Sequence, residues 1–452
     1  MTRPAPLPTL DARALGLDAV VARLERPASS ADPAVARAVE DIVGAVQARG
    51  DEALIELTAR FDRYEARAVG DLAIPAADFS DAARALPAAV RQALGYAADR
   101  IERYHAAAMP KSWRIADEHG SVLGQEVRPL DRVGIYIPGG RAAYPSTVLM
   151  TAIPARVAGV REIALVTPCR ADGSVDPIVL AAAHLAGVTE GYRIGGAQAV
   201  AALAYGTATI RRVDKIVGPG NIYVALAKRH VFGAVGIDMI AGPSEVVVIA
   251  DDSAEPEWLA ADLLAQAEHD PMARALLITD AADLAPRVAA ALAGQLDRLP
   301  RRTIAAESIE ANGAVILVGD LDAAVDLANR LAPEHLELCV RAPEALLARV
   351  RHAGAVFLGR HTPEVVGDYV AGPNHVLPTG GTARFASPLG TEDFVTRSSV
   401  IEYTPAGLKA ALPHLRALTE VEGLAGHGRA AEVRAGNPAI ADRSKEDSAH
   451  GH

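Results

Sequence analysis

The hydrophobic pattern changes period along the chain. Near the start, apolar positions recur at helical spacing: Asp32 and Pro33 read as an N-cap followed by proline at the first helical position, after which Val35, Val39, Ile42, Val43 and Val46 repeat. Gly50 and Asp51 restart the pattern, which continues through Leu54 and Leu57. From Arg132 onward, short continuous apolar runs rich in β-branched residues alternate with helix-length stretches. They predict nine strands, at 133–137, 163–167, 192–194, 215–217, 246–250, 276–279, 314–318, 336–340 and 355–358. Strands of this kind, separated by helices, belong to mostly parallel sheets covered on both faces.

Nine strands exceed one sheet of usual size, so the expected fold is α/β, with two doubly wound domains, a helical N-terminal region and a small C-terminal helical segment. The expected division is an N-terminal arm at 1–26, a first, discontinuous α/β domain at 27–131 and 245–380, and a second at 132–244 inserted into it. A C-terminal segment at 381–440 and a disordered polar tail at 441–452 complete it. A chain of 452 residues with 50% hydrophobic content can bury cores of that size.

The net charge of −11 is spread without long single-sign blocks, which argues against a nucleic-acid partner and suits a cationic substrate. Cys169 and Cys339 lie far apart without metal-type spacing, as in a reducing compartment. No stretch reaches the roughly 18 apolar residues of a membrane span, and the N-terminus does not read as a leader. A cytoplasmic location is expected.

Doubly wound sheets hold ligands beyond the carboxyl ends of their strands. The turns at Gly139 and Gly140, at Gly195 and Gly196, at Gly218, Pro219 and Gly220, and at Gly242 and Pro243 are therefore site candidates. The dinucleotide fingerprint G-x-G-x-x-G is missing, so motif alone does not point to NAD. Elsewhere, Gln266 and His269 share a face near the end of a helix expected at 257–269, with Trp258, Leu263 and Leu264 available for its buried side. Glu334 and His335 follow Pro333, which biases Ala332 toward extended geometry, and an adjacent Glu and His can form an acid/base pair. Asp368 and His375 lie in a stretch too rich in glycine and proline to be regular. Glu422 and His427 are separated by glycines. Together these residue types can ligate a divalent metal, with zinc favoured by imidazole, but each is equally at home in a solvated turn or at a helix end.

From Tyr136 through His427 the chain resembles the histidinol dehydrogenases, through the strings GIYIPGG, GGAQAVAALAYG, KIVGPGN, IDMIAGPSE, DLLAQAEHDP, APEHLEL, GDYVAGPNHVLPT and EGLAGH, in order. The resemblance implies incomplete Rossmann-like domains and NAD-dependent oxidation of L-histidinol through its aldehyde to L-histidine. It implies one zinc per subunit, held by Gln266, His269, Asp368 and His427. Glu334 and His335 become the catalytic acid/base residues; Ser244, His335 and Glu422 join the metal ligands around the substrate; Tyr136, Gln198 and Asn221 bind NAD. It further implies a homodimer with shared active sites, in which the segment 381–440 is the dimerisation element. Cys169 is the sole plausible thiol nucleophile, and it lacks an adjacent base. The competing readings are a zinc hydrolase, which needs no NAD, and a non-catalytic binding protein on the same fold.

Overall fold

The structure is a computed structural model that describes residues 7–24, 32–139 and 143–435. All nine expected strands form, each within two residues of its expected place. Two compact units result: one from the described residues up to Met109 together with those of Leu130–Phe394, the other from Pro110–Pro129 and the described residues from Val395 onward.

The first unit holds two six-stranded sheets. One runs in the order Thr9–Asp11, Ala314–Leu317, Arg274–Thr279, Glu245–Ala250, His335–Cys339 and Ala355–Leu358, with every pairing parallel. Along its central strand, Val246, Val248 and Ala250 enter one core and Val247 and Ile249 the other, which is why the run reads as continuously apolar. The other sheet runs Ala73–Ile74, Glu190–Tyr192, Glu162–Val166, Arg132–Tyr136, Lys215–Val217 and Gly236–Ile237, parallel except for the Ala73–Ile74 edge. In both sheets the order of strands reverses beside a central strand. The reversals fall between Glu245–Ala250 and His335–Cys339, and between Arg132–Tyr136 and Lys215–Val217.

Several expected assignments change. Helix Pro33–Arg49 begins as its sequence predicts, with the Asp32 carboxylate accepting from the Ala34 N–H at 2.8 Å. Its stripe of Val39, Ile42, Val43 and Val46, however, packs with Tyr136, Ala164 and Val200 against the second sheet, so these helices do not complete the first domain. Helical periodicity specifies an apolar face and leaves open which sheet covers it. The expected arm also contributes an edge strand, Thr9–Asp11.

The second unit contains an antiparallel sheet of Val395–Glu402, Val122–Pro129 and Trp113–Ala116, followed by helices Pro405–Val421 and Ala425–Ala435. Residues 110–129 therefore leave the first domain, and the C-terminal segment is not wholly helical. All four side chains of Trp113–Ala116 are exposed, so no half-buried alternation was there to read. The tail at 441–452 lies outside the described residues. No described helix is long and apolar enough to cross a membrane.

Candidate functional site

Helix Leu321–Leu331 ends at Ala332, whose φ of 48° is left-handed, not extended as the following proline suggests. Its N–H closes the last turn on the Ala328 carbonyl at 2.8 Å, and that capping bond offsets a conformational cost of about 1–2 kcal/mol. Pro333 then delivers Glu334 and His335 to the amino end of a central strand. Far from forming a solvated turn, both are buried, at 5% and 4% exposure.

Glu334 Oε2 accepts from the Glu245 N–H at 2.9 Å, and the nearby Ser244 side chain weakly favours the ionised form of the same carboxyl group. His335 Nδ1 lies 3.2 Å from the Glu245 carbonyl, so Nδ1–H donates there and Nε2 keeps its lone pair, 4.0 Å from Asp368 Oδ1. Burial pushes the imidazole down to about 3 and holds Glu334 well above the usual carboxylate range. A neutral base and a protonated acid thus stand side by side.

Asp368 sits on a short helix, Glu364–Tyr369, where irregular chain was expected. Its backbone carbonyl accepts from His375 Nδ1 at 2.9 Å, while His375 Nε2 lies 3.4 Å from the Thr147 hydroxyl. His335, Asp368 and His375 line a cavity of about 410 Å³ with His105 and Asn374.

Helix Pro256–Ala267 buries Leu259, Leu263, Leu264 and Gln266, whereas Trp258 is exposed, contrary to expectation. His269 follows its last turn at the surface, close enough for its charge to act on His335 and His375. The buried residue that the sequence reading missed is Glu364. It stands 3.6 Å from His335 Nδ1, and ligand atoms of His335, Glu364 and Asp368 all lie within 4.8 Å of one another. The signal was available: a Glu four residues before Asp368, just after Pro363, shares its helical face.

The gathered imidazole, carboxylate and amide-oxygen donors are those that bind a borderline divalent ion such as zinc. Glu334, Glu364 and Asp368 all have pKa values raised chiefly by burial, the condition that a cation in their midst reverses. The residues therefore fit the metal. Glu422, at the end of helix Pro405–Val421, and His427, on helix Ala425–Ala435, belong to the second unit and are exposed there.

The second cavity, of about 890 Å³, opens beyond the carboxyl ends of the second sheet and is lined by Tyr136, Gln198 and Asn221 with Asp62, Pro168 and Cys169. Tyr136 accepts from the Gly196 N–H at 3.0 Å. Asn221 caps helix Ile222–Val231, accepting from Tyr223 and Val224 at 3.0 and 3.2 Å. Gly218 is obligatory: its φ is +112°, and a Cβ there would lie 2.3 Å from the Tyr136 carbonyl oxygen. Gln198 is 1% exposed and its Nε2 has no partner among the described residues, a donor that a polar ligand in this cavity would satisfy. Two helices start at the cavity, at Gly196 and Ile222, the kind of terminus that binds phosphate oxygens. Burial pushes Cys169 up to about 11 and Cys339 higher still, so neither is a thiolate near neutrality.

Comparison with known proteins gives one answer. The profile of the histidinol dehydrogenases matches residues 24–435. The histidinol dehydrogenase of Chromobacterium violaceum is 55% identical over 403 residues, 89% of this chain and 93% of that protein. That of Pseudomonas syringae pv. syringae is 50% identical over 447 residues, 99% of this chain and 100% of that one. The crystal structure of histidinol dehydrogenase from Elizabethkingia anophelis is similar with a TM-score of 0.88 at 35% identity, covering 95% of this chain and 98% of the other.

Proposed function

The chain belongs to the histidinol dehydrogenase family, and from that premise we propose that it catalyses the NAD-dependent, four-electron oxidation of L-histidinol through L-histidinaldehyde to L-histidine, in the cytoplasm as a step of histidine biosynthesis. The observation that carries the mechanism is the neutral His335, its Nε2 lone pair facing a cavity, beside Glu334.

Gln266, His269 and Asp368 would hold one zinc per subunit together with His427, and Tyr136, Gln198 and Asn221 would hold NAD. When bound, zinc supplies a Lewis-acidic anchor for the substrate's nitrogens and NAD a two-electron acceptor. His335 takes the proton of the alcohol at Nε2, with Nδ1–H fixed on the Glu245 carbonyl so that the ring keeps this tautomer. The ionised form of Glu334, which a cation bound beside it would favour, is held by the Glu245 N–H and withdraws a proton from the water that adds to the aldehyde. Asp368 and Glu422 match a cationic amine. Retaining the aldehyde until this second oxidation prevents loss of a reactive intermediate.

The test is the yield of NADH per L-histidinol at limiting substrate, before and after chelation of zinc. Two NADH per substrate, lost on chelation and restored by zinc, is the expected result. One NADH with free aldehyde defeats the second half of the scheme, and turnover without NAD defeats all of it.

A further inference from the structure

We propose that Glu364 is a positioning residue that holds the amide nitrogen of Gln266 and so presents the Gln266 carbonyl oxygen to the metal. The proposal rests on the reading of Gln266 as a zinc ligand. A glutamine amide has a donor end and an acceptor end, and only the oxygen ligates a cation. Whichever way a fully buried amide turns must be enforced by what surrounds it. Gln266 is 0% exposed. With its carbonyl oxygen toward Glu364 the amide would set acceptor against acceptor; turned over, its nitrogen donates to Oε1 at 2.7 Å and Oε2 at 3.1 Å, and this second orientation satisfies both ends.

Glu364 is itself held in place. It is 2% exposed, and its backbone N–H donates to Glu337 Oε1 at 2.8 Å. Direct ligation by Glu364 fits less well. With the Gln266 nitrogen turned toward it, both of its oxygens are engaged by that amide, and the His335 nitrogen nearest to it is Nδ1, whose proton goes to the Glu245 carbonyl. A neutral amide oxygen is a weak ligand, so its orientation matters more than a carboxylate's. Partners that orient a ligand typically contribute 10–100-fold to metal affinity.

The experiment measures zinc affinity of the full-length protein by competition with a chelating dye, in wild type, Glu364→Gln, Gln266→Ala and the double variant. Cobalt absorption spectra report the ligand set, and NAD binding serves as the folding control. Glu364→Gln offers the Gln266 amide a partner that can both donate and accept, so zinc affinity should fall about 10–100-fold with NAD binding unchanged. Glu364→Asp, which keeps the acceptors, should recover part of the loss. In the Gln266→Ala background, Glu364→Gln should cost nothing further, because the effect passes through Gln266. Additive losses, or wild-type affinity and cobalt spectrum in Glu364→Gln, overturn the proposal. Absence of zinc binding by the wild type overturns the ligand reading beneath it instead.

Discussion

Glu334 and His335 owe their neutral states to one cause, removal from water, which favours the uncharged form of a carboxyl and of an imidazole alike. Their proposed tasks differ, so their substitutions should separate the two oxidations. Glu334→Gln should slow oxidation of supplied histidinaldehyde by about 10²–10⁴-fold, the usual worth of a general base, and reduce alcohol oxidation far less. His335→Asn should suppress the alcohol step. Single-turnover assays on each substrate decide, and equal losses in both variants would contradict the division of labour. Gln198 allows a test without catalysis. Leucine there removes the donor left without a partner among the described residues, so the NAD-free protein should be at least as resistant to urea while the NAD dissociation constant rises about tenfold, as loss of roughly one hydrogen bond predicts. Asp62 gives a pH signature. Burial raises its carboxyl to about 6, above its unfolded value, so the stabilising neutral form is lost as pH climbs toward 6. Asp62→Asn should therefore gain urea resistance relative to wild type at pH 7 and not at pH 4. At this scale Gln266, Glu334, His335 and Asp368 were legible as chemistry-bearing types, and the family strings gave them roles. Their burial was not legible, because nothing local in a proline turn or a helix end tells whether a second sheet strand covers it.

The two switch points use opposite edges of their sheets. In the second sheet the cavity lies beyond the carboxyl ends, at Tyr136 and the turn of Gly218, where the general rule puts it. In the first sheet Ser244, Glu245, Glu334 and His335 stand at the amino ends of the two central strands. A search confined to turns after strands finds the first arrangement and passes over the second. Most of the nine predicted strands were readable because they are buried on both faces, while Ala73–Ile74 and Gly236–Ile237 were too brief to show a period and the eight-residue Val122–Pro129 and Val395–Glu402 carry polar, largely uncovered residues without a clear apolar face. The glycine turn of the second sheet is locked from below: Lys228 Nζ donates to the Gly218 carbonyl at 3.0 Å and pairs with Asp238, whose carboxylate accepts from the Gly218 N–H at 2.8 Å. Lys228→Met strands the buried Asp238 carboxylate, which should cost about 3–5 kcal/mol in urea unfolding and weaken NAD binding along with it. A variant that loses neither would show the clamp to be dispensable.

The second unit is the part least explained by its own packing. Helix Pro405–Val421 buries only Gly407 and helix Ala425–Ala435 only Gly428, while Ile401, Leu418 and Val421 are 69%, 63% and 88% exposed. Apolar positions left in water on a regular sheet and helix pair are what a second copy of the chain would cover. Their exposure could not have been read from the sequence, since an interface and a core read alike in one chain. If a homodimer forms there, Val421→Asp should shift the protein toward monomer in sedimentation equilibrium without lowering the stability of the monomer, because the side chain supports nothing within the unit. The proposed sharing of sites goes further: Glu334 and His427 of one site would come from different chains. Glu334→Gln homodimers and His427→Ala homodimers should each be nearly inactive. Co-refolded heterodimers should then recover up to half of wild-type activity per dimer, since one of the two sites receives both native residues and the other neither. Recovery that tracks the heterodimer fraction, with zinc bound at one site per dimer, supports the shared arrangement. Heterodimers that assemble and remain inactive place both residues in a site built by a single chain.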